Sequence, residues 1–308
     1  MLFSKKAADD LAEIAQLAEV RGRSLWSDAR RRFLANRAAV MAAIVLILII
    51  LFSIFGQMLS PHSVDYIDFL KRGDIKNLGR PSIETQHYFG LDKEARDLYV
   101  RTVQGTRTSI MIGVVGSIVA VIVGTLYGAI AGYIGGRTDS IMMRIVDILY
   151  SIPFMFVLIL LMVAYGRSIE LIFVGIGMVS WLGMARIVRG QTLSIKNKEF
   201  VEAAIATGVS PLRIVLRHVV PNVLGIVVVY ASLLIPELIM YESFISYLGL
   251  GVQEPMTSLG ALINDGAREM YFGTLWQLLF PLTLFLLTLY AFFFVGDGLR
   301  DALDPKDR

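Results

Sequence analysis

Six stretches of the chain carry no Asp, Glu, Lys or Arg: residues 38–61, 108–136, 148–166, 171–185, 219–236 and 271–296. A bilayer core of about 30 Å is crossed by roughly 20 apolar helical residues. The fourth stretch is short, about 22 Å at about 1.5 Å per residue, and needs its flanks. The fifth continues past two carboxylates, Glu237 and Glu242, to Leu250. The pattern predicts an all-α, polytopic membrane protein with six transmembrane helices. Pro153, Pro236 and Pro281 fall inside the expected spans. Each removes a backbone hydrogen bond, which a spanning helix tolerates when its neighbours re-satisfy the freed groups.

Lys and Arg in the connections orient the spans. One side collects 19: the first 37 residues, the turn at 135–144, the connection 186–217 and the tail beyond Gly298. The other side holds 10, of which eight lie in the long loop 62–107 beside seven acids. Both termini are therefore expected in the cytoplasm. The first span is too long, and follows too long an arm, for a cleavable signal. The chain divides into an N-terminal arm (1–37), a first span with an outer loop (38–107), a core (108–298) containing the connection 189–221, and a tail (299–308). In the arm, Ser24 is placed to cap a helix running to about Asn36. Leu25, Trp26, Ala29 and Phe33 share one of its faces. That face suits the membrane interface, with Trp26 at headgroup depth; packing on the protein's own loops is the alternative.

Composition agrees. Apolar residues make up 56% and charged residues 18% of 308, with a mean hydropathy of +0.65 and a net charge of only +3. This excludes a disordered chain and argues against an ordinary soluble enzyme. With no Cys there is no thiolate chemistry or Cys-ligated metal. The three His (His62, His87 and His218) are far apart in sequence, so no metal site and no catalytic residue is expected. An intramembrane serine protease would need a His inside a span. Gly124, Gly128 and Gly132, four apart, allow a close helix–helix approach, either within the subunit or at a subunit seam. Glu237 and Glu242 are costly in a span and are candidates to line a pathway. Structural, hydrogen-bonded carboxylates are the alternative.

The connection between the fourth and fifth expected spans is the most informative. A helix from about Glu199 should stop at Gly208, a left-handed C-terminal position. Ser210 then caps a second helix with Pro211 at its first position, expected to end near Pro221. On the short helix Val201, Ala204 and Ile205 form an apolar face, which reads as a knob for a groove in a cytoplasmic partner.

Glu202-Ala203-Ala204, with Gly208 four residues on and Pro221 thirteen further, resembles the "EAA" signature of ABC-type importer permeases. Trp181, Arg186, Arg189, the run from His218 to Asn222, and Phe89-Gly90 with Asp92 and Arg96-Asp97 resemble the peptide/nickel branch. So do Gly105, Arg107, Ser109, the run from Ser246 to Gly251 and the run from Gly296 to Pro305. The likeness covers nearly the whole chain and is closest to the C-type membrane subunits of oligopeptide permeases. Leu91 and Ala95 depart from the family pattern, which has Thr and Gly there.

The resemblance implies a type I ABC importer transmembrane domain in the bacterial inner membrane. It implies a homologous second permease subunit, two cytoplasmic ATP-binding subunits and a periplasmic peptide-binding protein. No nucleic acid is involved. The chain has no P-loop, so ATP and Mg would be held by the partner ATPases and this subunit would be non-catalytic. Glu202 would anchor the coupling helix, Ala203 and Ala204 would let it seat closely, and Gly208 would make its corner. Dipeptides, murein peptides or nickel are alternative cargoes. A secondary transporter or channel is a more distant alternative, and it has no need of the basic connection.

Overall fold

The computed structural model describes residues 25–303. Its helices longer than one turn are α1 (Leu25–Ala35), α2 (Arg37–Phe55), α3 (Leu98–Ile134), α4 (Gly136–Ser151), α5 (Phe154–Tyr165), α6 (Ile169–Ile195), α7 (Glu199–Ala206), α8 (Pro211–Tyr247), α9 (Leu259–Glu269) and α10 (Trp276–Leu303). Among the described residues only isolated bridges pair extended backbone, all in the outer loop. Five helices (α2, α3, α6, α8 and α10) are each long and apolar enough to cross a bilayer.

The remaining expected crossing, the third along the chain (148–166), is a broken one. α4 and α5 meet at a 71° bend, and Pro153 sits at the break rather than inside a helix. With no N–H, Pro153 cannot continue the backbone ladder from α4, and it holds Ile152 extended. α5 alone rises about 18 Å, well short of a bilayer core. Pro236 and Pro281 do lie inside continuous helices.

Other boundaries moved for local reasons. α3 begins ten residues before the expected Thr108, because Asp97 Oδ1 accepts from the Val100 N–H at 2.8 Å and caps it. The second cytoplasmic helix does not end near Pro221. It runs through a π segment (Val215–Val219) into the span, so α8 is one helix of 37 residues. Pro221 falls at the start of the α-helical stretch beyond that segment, where a missing N–H does little harm. α10 likewise continues through Leu303, past the expected start of the tail. α9 had no counterpart in the hydropathy pattern. Its amphipathic eleven residues start at Ser258, which caps the Ala261 N–H.

α1 ends at Ala35, and Asn36 caps α2 through its side chain. Ser24 lies outside the described residues. Ala29 is buried, while Gly298 of α10 lies against Ala39 and Phe33. The face of α1 that carries Ala29 and Phe33 thus seats on the last span, while Trp26, on the same face nearer the helix start, remains 52% exposed.

The glycine ladder is an internal seam. A Cβ on Gly124 would meet Met184 and Trp181, one on Gly128 the backbone of Ala185 and Arg189, and one on Gly132 Thr192 and Arg189. α3 and α6 therefore pack backbone to backbone, as small residues at this spacing permit. Arg189 also reaches Asp139 of α4 through two hydrogen bonds, at 2.9 and 2.6 Å.

The outer-loop departures have structural consequences. Ala95 is fully buried with φ +62°, and its carbonyl accepts from the Asp68 N–H at 2.9 Å. A Cβ in this left-handed region costs about 1–2 kcal/mol. Leu91, also fully buried, offers its carbonyl to Trp276 Nε1 at 3.2 Å and Gln277 Nε2 at 3.0 Å. Ala95→Gly should therefore be neutral or stabilising, since relieved strain offsets the entropy of the freer unfolded chain. Ala95→Val should lower the thermal midpoint of the purified complex. A lower midpoint for Ala95→Gly would show that the loop holds no strain there.

Candidate functional site

The corner between α7 and α8 closes with a complete C-terminal motif. The Val209 N–H donates to Ala204 O at 3.0 Å and the Gly208 N–H to Ile205 O at 2.9 Å, with Gly208 at φ +76°. This is the paired bonding that a left-handed glycine allows after a helix. Ser210 takes the extended capping conformation with Pro211 next, although its hydroxyl makes no capping bond.

The apolar face of α7 points elsewhere than expected. Val201 and Ala204 are buried against Ile214, Val215 and Val219 of α8 and against Met184 and Val188 of α6. They glue the corner to its own subunit and are not free to fill a partner's groove. Ile205 is exposed, together with Phe200, Glu202, Ala203, Leu212 and Leu216. Three-residue spacing placed Val201 and Ala204 correctly on one face, but it did not say that α8 would cover that face. The N–H groups of Thr207, Gly208 and Val209 are bonded to carbonyls. The Glu202 carboxylate therefore does not cap them, and it has no side-chain partner among the described residues.

The two span carboxylates have different surroundings. Glu242 is fully buried. Its oxygens accept from Ser109 Oγ of α3 at 2.8 Å and from Ser246 Oγ at 2.7 Å, with Ser243 Oγ at 3.3 Å. Ser109 Oγ in turn accepts from the Leu259 N–H at the start of α9. Glu242 thus stitches α3, α8 and α9 together and is enclosed, not open to a path. Within this subunit its surroundings match the hydrogen-bonded, structural alternative. Glu237 is half-buried and lines a cavity of about 210 Å³ with Tyr150, Pro153, Phe154, Tyr230 and Tyr241. It accepts from Tyr241 Oη at 2.7 Å.

Hydropathy could not foresee the polar cluster on the outer side. Arg96 bonds Asp92 at 2.8 Å and Glu254 at 2.6 Å, and Arg101 lies 3.1 Å from Asp92. Burial opposes the Arg96 charge, but Glu254 and Asp92 outweigh it and hold the guanidinium above its ordinary value. The hydrogen bond from Arg96 holds the Glu254 carboxyl below the usual carboxylate range. The loop before α3 is thereby tied to the segment before α9. The signal available in the sequence was the Asp92/Arg96 spacing beside the helix-capping Asp97.

The expectation that no metal-ligating side chains cluster is also corrected, because His62, His87 and Asp97 come together. His87 Nδ1 lies 2.7 Å from Asp97 Oδ2, and the two imidazoles stack at 4.3 Å and 16°. The group is a hydrogen-bonded clasp.

A helical membrane subunit with a rigid corner between α7 and α8 and, among the described residues, no catalytic constellation is the class that this geometry defines. The comparisons place the chain within it. Residues 124–308 match the family described as binding-protein-dependent transport system inner membrane component. Residues 24–78 match the N-terminal TM domain of oligopeptide transport permease C. The chain is 58% identical, over all of both chains, to the oligopeptide transport system permease protein OppC of Escherichia coli K12. It is 52% identical to OppC of Haemophilus influenzae, over 99% of this chain and 97% of that one. It is 42% identical to the dipeptide transport system permease protein DppC of Bacillus subtilis, over 92% and 87%. An inward-facing MetNI methionine ABC transporter structure superposes with a TM-score of 0.53 at 21% identity, covering 66% of this chain and 95% of that one, a likeness of fold.

The chain belongs to the binding-protein-dependent transport system inner membrane components. It is a multi-pass inner-membrane permease subunit of an ABC importer. It is non-catalytic, and it works with ATPase and substrate-binding partners.

Replacing Glu242 by Leu should strand Ser109, Ser243 and Ser246 without their shared acceptor, at about 1–3 kcal/mol per unsatisfied group. The yield of assembled complex and its thermal midpoint should fall, while transport per assembled complex persists. Full assembly with altered peptide selectivity would return Glu242 to the pathway.

Proposed function

We propose that the chain is one of two homologous membrane subunits of an oligopeptide importer. In this reading two cytoplasmic subunits bind ATP and Mg, and a periplasmic binding protein delivers the peptide. Identity to the oligopeptide permeases over the full length supports peptides as cargo. Both termini lie in the cytoplasm, the side to which the Lys and Arg excess assigns the corner.

The observation that carries the mechanism is the corner itself. Val201 and Ala204 bond α7 to α8 and α6 by packing, so a push on α7 moves the spans as a unit. The exposed residues Phe200, Ile205, Leu212 and Leu216, with the unpartnered Glu202, form the face that meets the ATPases. Closure of the ATPases then rocks the spans between inward- and outward-facing states, a two-state rigid-body change. Ala203 is exposed and small, which lets α7 seat closely. Gly208 sets the angle between α7 and α8.

Two experiments test this. Purified from native membranes, the wild-type chain should bring two P-loop ATPases with it, and peptide-loaded binding protein should stimulate their hydrolysis. A Cβ on Gly208 meets nothing nearby, so Gly208→Val strains only the backbone, at about 1–2 kcal/mol. It should insert normally yet lose that stimulation, whereas Gly208→Asn, which tolerates positive φ, should keep most of it. Unchanged stimulation in Gly208→Val would remove the corner from the coupling path. For orientation, Asn77 and Asn197 are both exposed. A cysteine at position 77 should react with an impermeant maleimide in spheroplasts and one at 197 should not. Labelling of 197 from outside would invert the topology.

A further inference from the structure

The cavity beside the α4–α5 break has a chemistry of its own. It is built by three elements that the sequence keeps far apart: the break (Tyr150, Pro153, Phe154), the middle of α6 (Gly183) and the middle of α8 (Tyr230, Glu237, Tyr241). Gly183 has no side chain, and the Tyr230 hydroxyl lies against its backbone. Irregular backbone within a membrane is tolerated where it is covered by protein or borders water. α5 is only about 18 Å long, shorter than a bilayer core, and the break before it opens on this cavity.

Glu237 is the carboxylate of the cavity. Among the described residues its hydrogen-bond partner is the Tyr241 hydroxyl, and no Lys, Arg or His side chain pairs with it. Arg186, three residues beyond Gly183 on α6, is already engaged: it bonds Asp147 at 2.8 Å and stacks 4.2 Å above the Tyr150 ring. A half-buried carboxylate faced by tyrosines, with one oxygen free of protein donors, matches a primary ammonium group. The carboxylate supplies the charge-assisted hydrogen bond, and the ring faces supply cation–π attraction. Tyr241 is held in place by Glu237 and by Phe154, whose ring lies 4.9 Å away.

We infer that this cavity is a subsite on the translocation path that takes the ammonium group of a passing peptide, with Glu237 as its counter-ion. The inference rests on the reading of the chain as a peptide permease. The ammonium has two possible sources, the free N-terminus and a lysine side chain.

The test uses the reconstituted complex with its binding protein, loaded to saturation so that selection at delivery is removed. Four tripeptides are compared: neutral with a free N-terminus, neutral and N-acetylated, and the same pair with a central lysine. In wild type the free or lysine-containing peptides should be imported faster than the acetylated neutral one. Glu237→Gln should reduce that preference by about tenfold, the scale of one charge-assisted hydrogen bond in a desolvated site. Glu237→Asp should restore part of it, and Tyr241→Phe should weaken it less. Loss of preference only for free N-termini assigns the subsite to the α-amino group, and loss only for lysine assigns it to side chains. An unchanged preference in a Glu237→Gln complex that assembles and transports would overturn the inference. If Glu237→Gln fails to assemble, an unchanged preference in Tyr241→Phe together with Glu237→Asp would do so. If the wild-type complex imports none of the four, the peptide reading itself fails.

Discussion

The bilayer interior offers no water to an unpaired backbone N–H or carbonyl, and each orphan costs several kcal/mol. The architecture follows from that constraint. The chain crosses as long helices, and each departure from helix must be covered by protein or must border a wet space. The π segment at Ala120–Gly124 ends on Gly124, which is pressed against α6. The π segment at Val215–Val219 is covered on one side, where Val215 and Val219 pack with residues of α7, α3 and α6. The remaining departure, at Ile152–Pro153, opens on the cavity of Glu237. Two irregularities serve packing. The third is where the chain gives up helix to make room.

The same constraint explains how the corner can act at a distance. Because α8 is not interrupted near Pro221, a single helix of about 55 Å runs from the corner at Pro211 to the seryl cage of Glu242. Glu237 lies on the way. The close contact of α3 with α6 through the glycine ladder leaves little freedom for relative sliding. In the proposed mechanism a load applied at α7 would be carried as a tilt of packed helices, not lost in a flexible joint. At the outer end α9 is bound to this body through Ser109, Glu242 and the Leu259 N–H, and to the outer loop through Arg96 and Glu254.

Much of this was legible in the sequence because it is set locally. The spans follow from charge-free runs, and the corner from Gly208, Ser210 and Pro211. The tight seam follows from the four-residue glycine spacing. What was not legible depends on which elements meet. The broken crossing reads as an unbroken apolar run with a proline in it, no different by composition from Pro236 and Pro281. Whether Pro breaks or merely sits in a helix is decided by what neighbours re-satisfy. α9 was invisible because eleven amphipathic residues in a loop have no span signature. Val201 and Ala204 were placed on the right face of α7, but only the path of α8 shows that the face is already occupied. The stacked His62 and His87 are separated by a loop whose folding no spacing rule predicts.

Glu237 and Glu242 show why residue type alone does not assign a role. Five residues at about 100° each place them about 140° apart around α8, so they face nearly opposite sides. Their intrinsic chemistry is the same, and their difference lies in the donors opposite. Glu242 faces α3 at Ser109, with Ser246 one turn along its own helix, and hydroxyls short enough to fit between packed backbones leave no room for a ligand. Glu237 faces Tyr230, Tyr241 and the break at Pro153, whose rings stand apart and leave a space that a small cation can enter. The carboxylate that is fully satisfied holds the helices together, and the one that is left half-satisfied is the one with capacity to bind.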